Sequence, residues 1–291
     1  MREFVEIACY FIFAMMWNLL AGYGGMVSIG QQAFFGLGGY AMLVLGNFAG
    51  VNPFVAVPLG ALRAPRAIAV PVSFVAFRLA GRLLRDRHLG HRRGVPARRR
   101  QRLGGRRRLG HQPDGAARHR EGDARDATFW IALACVVAAI ALVYLFLRSK
   151  RGLALLAIRD NEVAAESQGI DVRGMKLAVY VVAAFGAGLA GALYFVGNLR
   201  ISPDAAFSVN WTAFAIFMVV IGGIGRIEGP IVGALDLLGA QQVLQRLRHL
   251  VPARASGCWR SWSTLFFRQG LWGWAQQRYG WSLFPTQRRL A

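Results

Sequence analysis

The sequence predicts an all-α, polytopic bundle of membrane-spanning helices broken by an irregular, arginine-rich insert. Three observations predict it. Hydrophobic residues make up 55% of the 291-residue chain, more than a water-soluble domain of this length usually carries. Uncharged apolar stretches of about 20 residues recur, the length a helix needs to cross a ~30 Å hydrocarbon core. The formal charge of +21 is concentrated: residues 63–126 hold 18 Arg and 5 acidic residues, more than half the excess in under a quarter of the chain. Outside that window the chain has the charge of an ordinary membrane protein, and residues 1–291 are expected to form a single transmembrane domain.

Residues 4–20 form the first span, interrupted only by Glu6. No small-residue cleavage site follows a short apolar core, so this segment is expected to be a retained span. The glycine-studded stretch GYGGMVSIGQQAFFGLGGY follows, with Gly22, Gly24, Gly25, Gly30, Gly36, Gly38 and Gly39. Such a stretch permits close helix crossing or a broken helix, and unwound backbone in a bilayer is tolerated only where protein or a water-filled path covers it. Ser28, Gly30, Gln31 and Gln32 are therefore candidates to line a translocation path. The alternative is tight packing with internally satisfied amides. No charge is present there, so a charged-ligand site is not expected.

Residues 51–62 begin another apolar piece, and the character changes at Arg63 until about Asp126. Residues 127–147 return to about 20 uncharged residues, a second clear span. A polar segment, 148–176, separates it from the span at 177–199. On that span Gly186 and Ala190, Ala187 and Gly191, and Gly188 and Ala192 are each four apart, a spacing that lets another helix approach closely. The packing is expected within one subunit or, alternatively, against a second one. A neutral loop at 200–210 leads to an apolar stretch at 211–225; residues 229–244 begin apolar and fade. Residues 245–264 are basic and mixed, and 265–291 form a tail.

Orientation follows from the excess of basic residues in cytoplasmic loops. The 148–176 loop carries Arg148, Lys150, Arg151, Arg159, Arg173 and Lys176, whereas 200–210 carries only Arg200, offset by Asp204. The first is expected to be cytoplasmic, the second external, and the basic tail cytoplasmic.

Within the 148–176 loop, AIRDNEVAAESQGID is the informative segment. Asp160 is expected as a helix N-cap, Glu162 lies in the first turn, and Gly169 is a C-terminal stop. The helix between them has only about two turns. Ala164 and Ala165 give it a flat face of small side chains, with Arg159 and Glu166 among the flanking charges. Such a helix is a rigid knob that can seat in a cleft of another protein; alternatively it is a solvated helix on the membrane surface.

The remaining chemistry is sparse. Cys9, Cys135 and Cys258 are odd in number and far apart, so neither a disulfide framework nor a metal site is inferred. His88 and His91 have an HxxH spacing, but no carboxylate or thiol cluster completes a site. The only lysines, Lys150 and Lys176, lie outside any GxxxxGK[ST] loop, so ATP hydrolysis would have to come from elsewhere. No catalytic residue, cofactor or metal is expected.

The stretch VAAESQG resembles the cytoplasmic loop of ABC-importer permeases, Glu-Ala-Ala followed by three residues and Gly. Val163 stands at the usual Glu position, with Glu162 one residue earlier. RGLALLAIRDNEVAAESQGIDVRGMKLAVYVVAAFGAGLAGALY closely resembles LivM-type permeases of branched-chain amino acid importers. So do WNLLAGYGGMVSIGQQAFFGLGGYAMLVL, VVIGGIGRIEGPIVGAL and the tail RQGLWGW. These blocks span residues 4–62 and 127–235 plus the tail, in the family's order. The resemblance implies an ABC-importer permease fold with alternating access. It implies two cytoplasmic ATP-binding subunits, a second related permease and a periplasmic binding protein delivering leucine, isoleucine or valine, all at a bacterial inner membrane. The ATPases would push on residues 159–170, with Arg159, Asp160, Glu162, Ala164, Ala165, Glu166 and Gly169 as the coupling residues. A permease for urea or short amides has the same architecture.

Two rivals come from other classes. A secondary transporter or channel predicts ionisable residues within the membrane, and the spans at 127–147 and 177–199 have none. A nucleic-acid binder predicts affinity carried by 63–126 and falling steeply with salt. That window has almost no aromatics for base stacking beyond residue 80 and no amphipathic period suited to a membrane surface. With 33 Arg against 2 Lys, the gene is expected to be GC-rich, and such a gene read out of frame yields Arg, Ala, Gly, Pro and His. Residues 63–126 and 236–264 are therefore expected to be out-of-frame patches, each closed by a compensating indel. Resequencing that finds both encoded without an indel relative to intact homologues removes this reading. Charged residues cost ~2.5–3.5 kcal/mol each at the bilayer centre, so no span can be drawn through 82–126. Irregular structure is expected at about 85–126 and 245–262, and the chain would lack two or more helices of the family's bundle.

Overall fold

The computed structural model describes residues 2–48, 57–58, 69, 118–197, 201–246 and 272. Among these, all regular structure is helical. In chain order the elements are α1 (Arg2–Asn18), extended by a π-helical turn (Leu19–Tyr23), then α2 (Gln32–Phe48), α3 (Arg118–Arg148), α4 (Lys150–Asp160), α5 (Glu162–Ser167), α6 (Val172–Gly197), α7 (Pro203–Ala206), α8 (Val209–Gly222) and α9 (Glu228–Arg246). Among the described residues, four segments are long and apolar enough to cross a membrane: Glu3–Tyr23, Asp126–Arg148, Val172–Val196 and Pro203–Gly222. The apolar helix Gln32–Leu45 is shorter.

Contacts fix the relative directions. Phe4 and Phe129 meet with ring centroids 4.7 Å apart, so α1 and α3 start at the same end. Trp211, at the start of α8, lies beside Tyr10 (4.7 Å), and the far end of α8 leads to Gly225, against Gly22. α8 therefore runs parallel to α1. α6 runs the other way, with Gly186 against Met16 and Tyr194 against Trp211. One end of the bundle thus gathers the end of α1, α4, α5, the start of α6 and the α8–α9 turn.

α1 is the hub of the core. Ile12, Phe13, Met15, Met16, Leu19 and Leu20 are fully buried. In lipid, apolar transfer does not drive helix association; close packing and hydrogen bonds do. The closest approaches are backbone to backbone. A Cβ on Gly38 of α2 would run into the Gly188 carbonyl of α6, and one on Gly191 into the Phe35 carbonyl. The small residues of α6 are therefore spent inside this chain, on α1 and α2. α3 differs: Trp130, Val137 and Leu145 are exposed at 65%, 58% and 66%, leaving an apolar face suited to lipid. At the opposite end an aromatic cluster packs α1, α2, α6 and α8, with Phe35 stacked on Trp211 at 4.1 Å and the Trp211 indole N–H donating to the Ala205 carbonyl (2.9 Å).

Several expectations need correction. Residues 118–126, expected to be irregular, are the first turns of α3. Extending an apolar helix already formed adds one hydrogen bond per residue without a new nucleation cost. Residues 245–246 are likewise the last of α9; the rest of 85–117 and 247–262 lies outside the described residues, as do His88 and His91. The segment 148–176 holds two helices, α4 and α5, and the start of α6. The loop at 200–210 includes α7, capped by Ser202, whose hydroxyl accepts from Ala205 N–H. Cys9 and Cys135 are free thiols.

Candidate functional site

The knob is built by a break at Asn161. Asp160, expected as the N-cap, is instead the last residue of α4. Asn161 leaves the helical region (φ −158°, ψ 112°), and its side chain accepts from the N–H groups of Val163 and Ala164. An amide reaches those donors as well as a carboxylate does, and such a cap contributes about 1 kcal/mol. Gly169 ends α5 as expected, with φ +80°. Its N–H bonds the Glu166 carbonyl at 3.0 Å, and Ile170 N–H bonds the Ala165 carbonyl at 3.1 Å. This left-handed exit satisfies the last carbonyls of the helix.

The two alanines point in different directions, so the flat paired face is not formed. Ala165 is buried against Ile158 and Val172, a small core tying α5 to α4 and α6. Ala164 is exposed. The outward face carries Glu162, Ala164, Glu166 and Val163, the last 77% exposed. Lys176 donates to Glu162, an ion pair that links the knob to α6; the sequence reading did not pair them. Leu155 of α4 is fully buried, and its Cδ1 would lie 3.6 Å from a Cβ on Gly24.

The second site is the break after the π-helical turn. From Gly24 to Gln31 the chain is irregular. The Trp17 indole N–H donates to the Ser28 carbonyl (2.9 Å), so this segment turns back along α1. At 1.5 Å rise per residue, Trp17 lies roughly 9 Å short of the helix end, and α2 starts inside the depth of the bundle. Val27 and Ile29 are 70% and 68% exposed; Gly30 has nothing within 4 Å of where its Cβ would be. The four candidate residues divide. Ser28 holds Trp17 through its backbone. Gln32 accepts from the Thr212 hydroxyl of α8 (2.6 Å). Gln31 is 1% exposed, and neither its Oε1 nor its Nε2 has a partner among the described residues. Of the two amides, Gln32 is thus bonded through its oxygen, and Gln31 is the one without a partner among the described residues.

One residue that sequence reasoning passed over clasps the end of α1 to the α8–α9 turn. Asn18 is fully buried; its Nδ2 donates to the Arg226 carbonyl at 2.7 Å, and its Oδ1 accepts from Gly225 N–H at 2.9 Å. The available signal was a lone amide in an otherwise apolar run. Among the described residues no group of His, Cys, Asp and Glu could hold a metal ion.

The chain matches the family described as branched-chain amino acid transport system / permease component over residues 3–89 and 101–256. The match continues through most of 63–126 and into 236–256, leaving out 90–100 at the centre of the arginine run. The high-affinity branched-chain amino acid transport system permease protein LivM of Escherichia coli is 26% identical over 274 residues, covering 84% of this chain and 64% of that protein. A probable branched-chain amino acid transport permease protein LivM of Methanocaldococcus jannaschii is 31% identical over 110 residues, 36% of this chain and 32% of that one. The ribose import permease protein RbsC of Haemophilus influenzae is 33% identical over 85 residues, 28% and 26% of the two chains. The chain thus spans under two thirds of the length of the LivM proteins it resembles. No solved structure matches it.

Proposed function

The chain belongs to the family of branched-chain amino acid transport permease components and is a multi-pass membrane protein; from that premise we propose that it is the permease subunit of an ABC importer for leucine, isoleucine or valine. Its partners are two cytoplasmic ATP-binding subunits, a second related permease and a periplasmic binding protein, at a bacterial inner membrane. The chain itself does no catalysis. The observation that carries the reading is the α5 knob: a capped two-turn helix with an exposed outer face, rooted by Ala165 and the Glu162–Lys176 pair on the start of a spanning helix. A push on that face is delivered to α4 and α6 together. Arg159, Asp160, Glu162, Ala164, Glu166 and Gly169 form or bound the contact, and Ala165 anchors it.

The break at 24–31 supports the transport half of the reading. Irregular backbone at membrane depth must be covered by protein or face water, and among the described residues none covers Gly30, Val27 or Ile29. Ser28, Gly30, Gln31 and Gln32 accordingly line or border the translocation path, Gln31 from a buried position behind it.

The test is a photo-cross-linker at Ala164 in the full chain, co-expressed with the ATP-binding subunits encoded beside its gene. A cross-link to an ATP-binding subunit, together with labelling of Ala164→Cys from the cytoplasmic side only, is expected. Labelling from the outer side, or absence of any cross-link to a nucleotide-binding protein, overturns the proposal.

A further inference from the structure

We infer that Arg159 is a positioning residue: it joins the knob to the end of α1 and to the α8–α9 turn, so that movement of α5 reaches both at once and, through them, the broken segment 24–31. The inference rests on the reading of α5 as the face that meets the ATP-binding subunits.

Arg159 is the penultimate residue of α4, three positions before α5 begins. Its side chain lies across two left-handed glycines from distant parts of the chain. A Cβ on Gly25 (φ +64°) would lie 3.8 Å from Arg159 Cγ, and one on Gly225 (φ +75°) would lie 3.0 Å from Arg159 Nη1. The same position on Gly225 is 3.1 Å from the Gly22 carbonyl oxygen. The two backbones under the guanidinium therefore touch each other. They are also bolted together, because Asn18 bonds Gly225 N–H and the Arg226 carbonyl. The Tyr23 hydroxyl bonds the Ile227 backbone beside them, with Glu228 and Arg226 nearby.

The consequence is mechanical. α4 and α5 are held as one unit by the core of Ile158, Ala165 and Val172, so the knob cannot move without carrying Arg159. The joint that Arg159 covers is hydrogen-bonded and moves as a block. Gly25 is itself part of 24–31, and α8 runs back from the joint to Thr212, which bonds Gln32 at the other end of the same segment. The joint thus addresses both ends of the break. A continuous set of packed and hydrogen-bonded groups is the physical means by which two sites bias one another.

The test uses the full chain with its ATP-binding subunits in nanodiscs, with Cys9, Cys135 and Cys258 replaced and one cysteine at Val27. The readout is the rate of maleimide labelling at Val27→Cys with and without ATP. With Arg159 present, ATP is expected to change that rate by at least about fivefold, the lower end of typical coupling between sites. Compared at equal amounts of assembled, hydrolysing complex, Arg159→Ala is expected to abolish the change; Arg159→Lys, which keeps the stem and the charge, is expected to restore part of it. A purely structural role would lower assembly and hydrolysis together. An ATP-linked change that survives in Arg159→Ala overturns the inference, as does its absence when Arg159 is present in an assembled, hydrolysing complex. Failure of any ATP-binding subunit to associate refutes the underlying functional reading instead. Should Arg159→Ala not be recovered folded, Arg159→Gln is read in the same assay with the same two outcomes.

Discussion

Asn18→Leu is expected to cost roughly 2–6 kcal/mol of stability, because it strands two partly buried backbone groups at about 1–3 kcal/mol each. The Gly225 N–H and the Arg226 carbonyl bond a fully buried side chain, so leucine in its place leaves both facing an apolar group. Leucine branches at the same atom and has the same length, but its two methyls put apolar carbon where Oδ1 and Nδ2 of Asn18 make their bonds. The α8–α9 turn should detach from the end of α1. Denaturation of the purified chain in mixed detergent micelles checks the magnitude. A variant within about 0.5 kcal/mol of the parent, the range of an inconsequential surface change, means that the clasp contributes nothing. Asn18→Asp separates the two bonds: it keeps the acceptor for Gly225, removes the donor to Arg226 and buries a charge, so it should be no milder.

Gly38→Leu is expected to force α2 off α6 and to cost about 3 kcal/mol, the upper end for overpacking a filled site. The obstacle is the Gly188 carbonyl, part of a helix backbone, which cannot swing aside as a side chain can. Neighbouring contacts leave no slack, since Gly191 sits on the Phe35 carbonyl and Gly39 against the Phe195 ring. The expected result is loss of the monodisperse folded species, or a large fall in its melting temperature. Gly30→Leu is the control, because nothing lies within 4 Å of that position. Equal recovery and stability of Gly38→Leu and Gly30→Leu refute the claim that α2 and α6 meet backbone to backbone.

The spans were legible because lipid imposes a demand that any sequence must meet openly: an uncharged run long enough to cross, with its backbone bonds made internally. Residues 4–20, apart from Glu6, and 127–147 met it and are helical, as is 177–199 as far as Gly197, the last of its residues described. The short helix with its stop at Gly169 was legible too, since caps and left-handed exits are written in local residue types. Its start was misplaced by one residue because Asp and Asn are both good caps; which of Asp160 and Asn161 leaves the helix depends on where Ile158 and Ala165 must sit to pack.

By itself, then, the amino-acid order determined that this protein is a bundle of membrane helices with a short capped helix between two spans. These are consequences of runs and spacings within some 20 neighbouring residues. Only the tertiary structure decided that Gln31 is left without a partner while Gln32 finds Thr212, that the small residues of α6 are used on α1 and α2, and that Asn18 and Arg159 meet the α8–α9 turn. The Asn18 bonds and the Gln32–Thr212 bond link residues 207, 208 and 180 positions apart. Hydrogen bonding and close packing depend on ångström-scale placement of such distant groups, which no local pattern encodes.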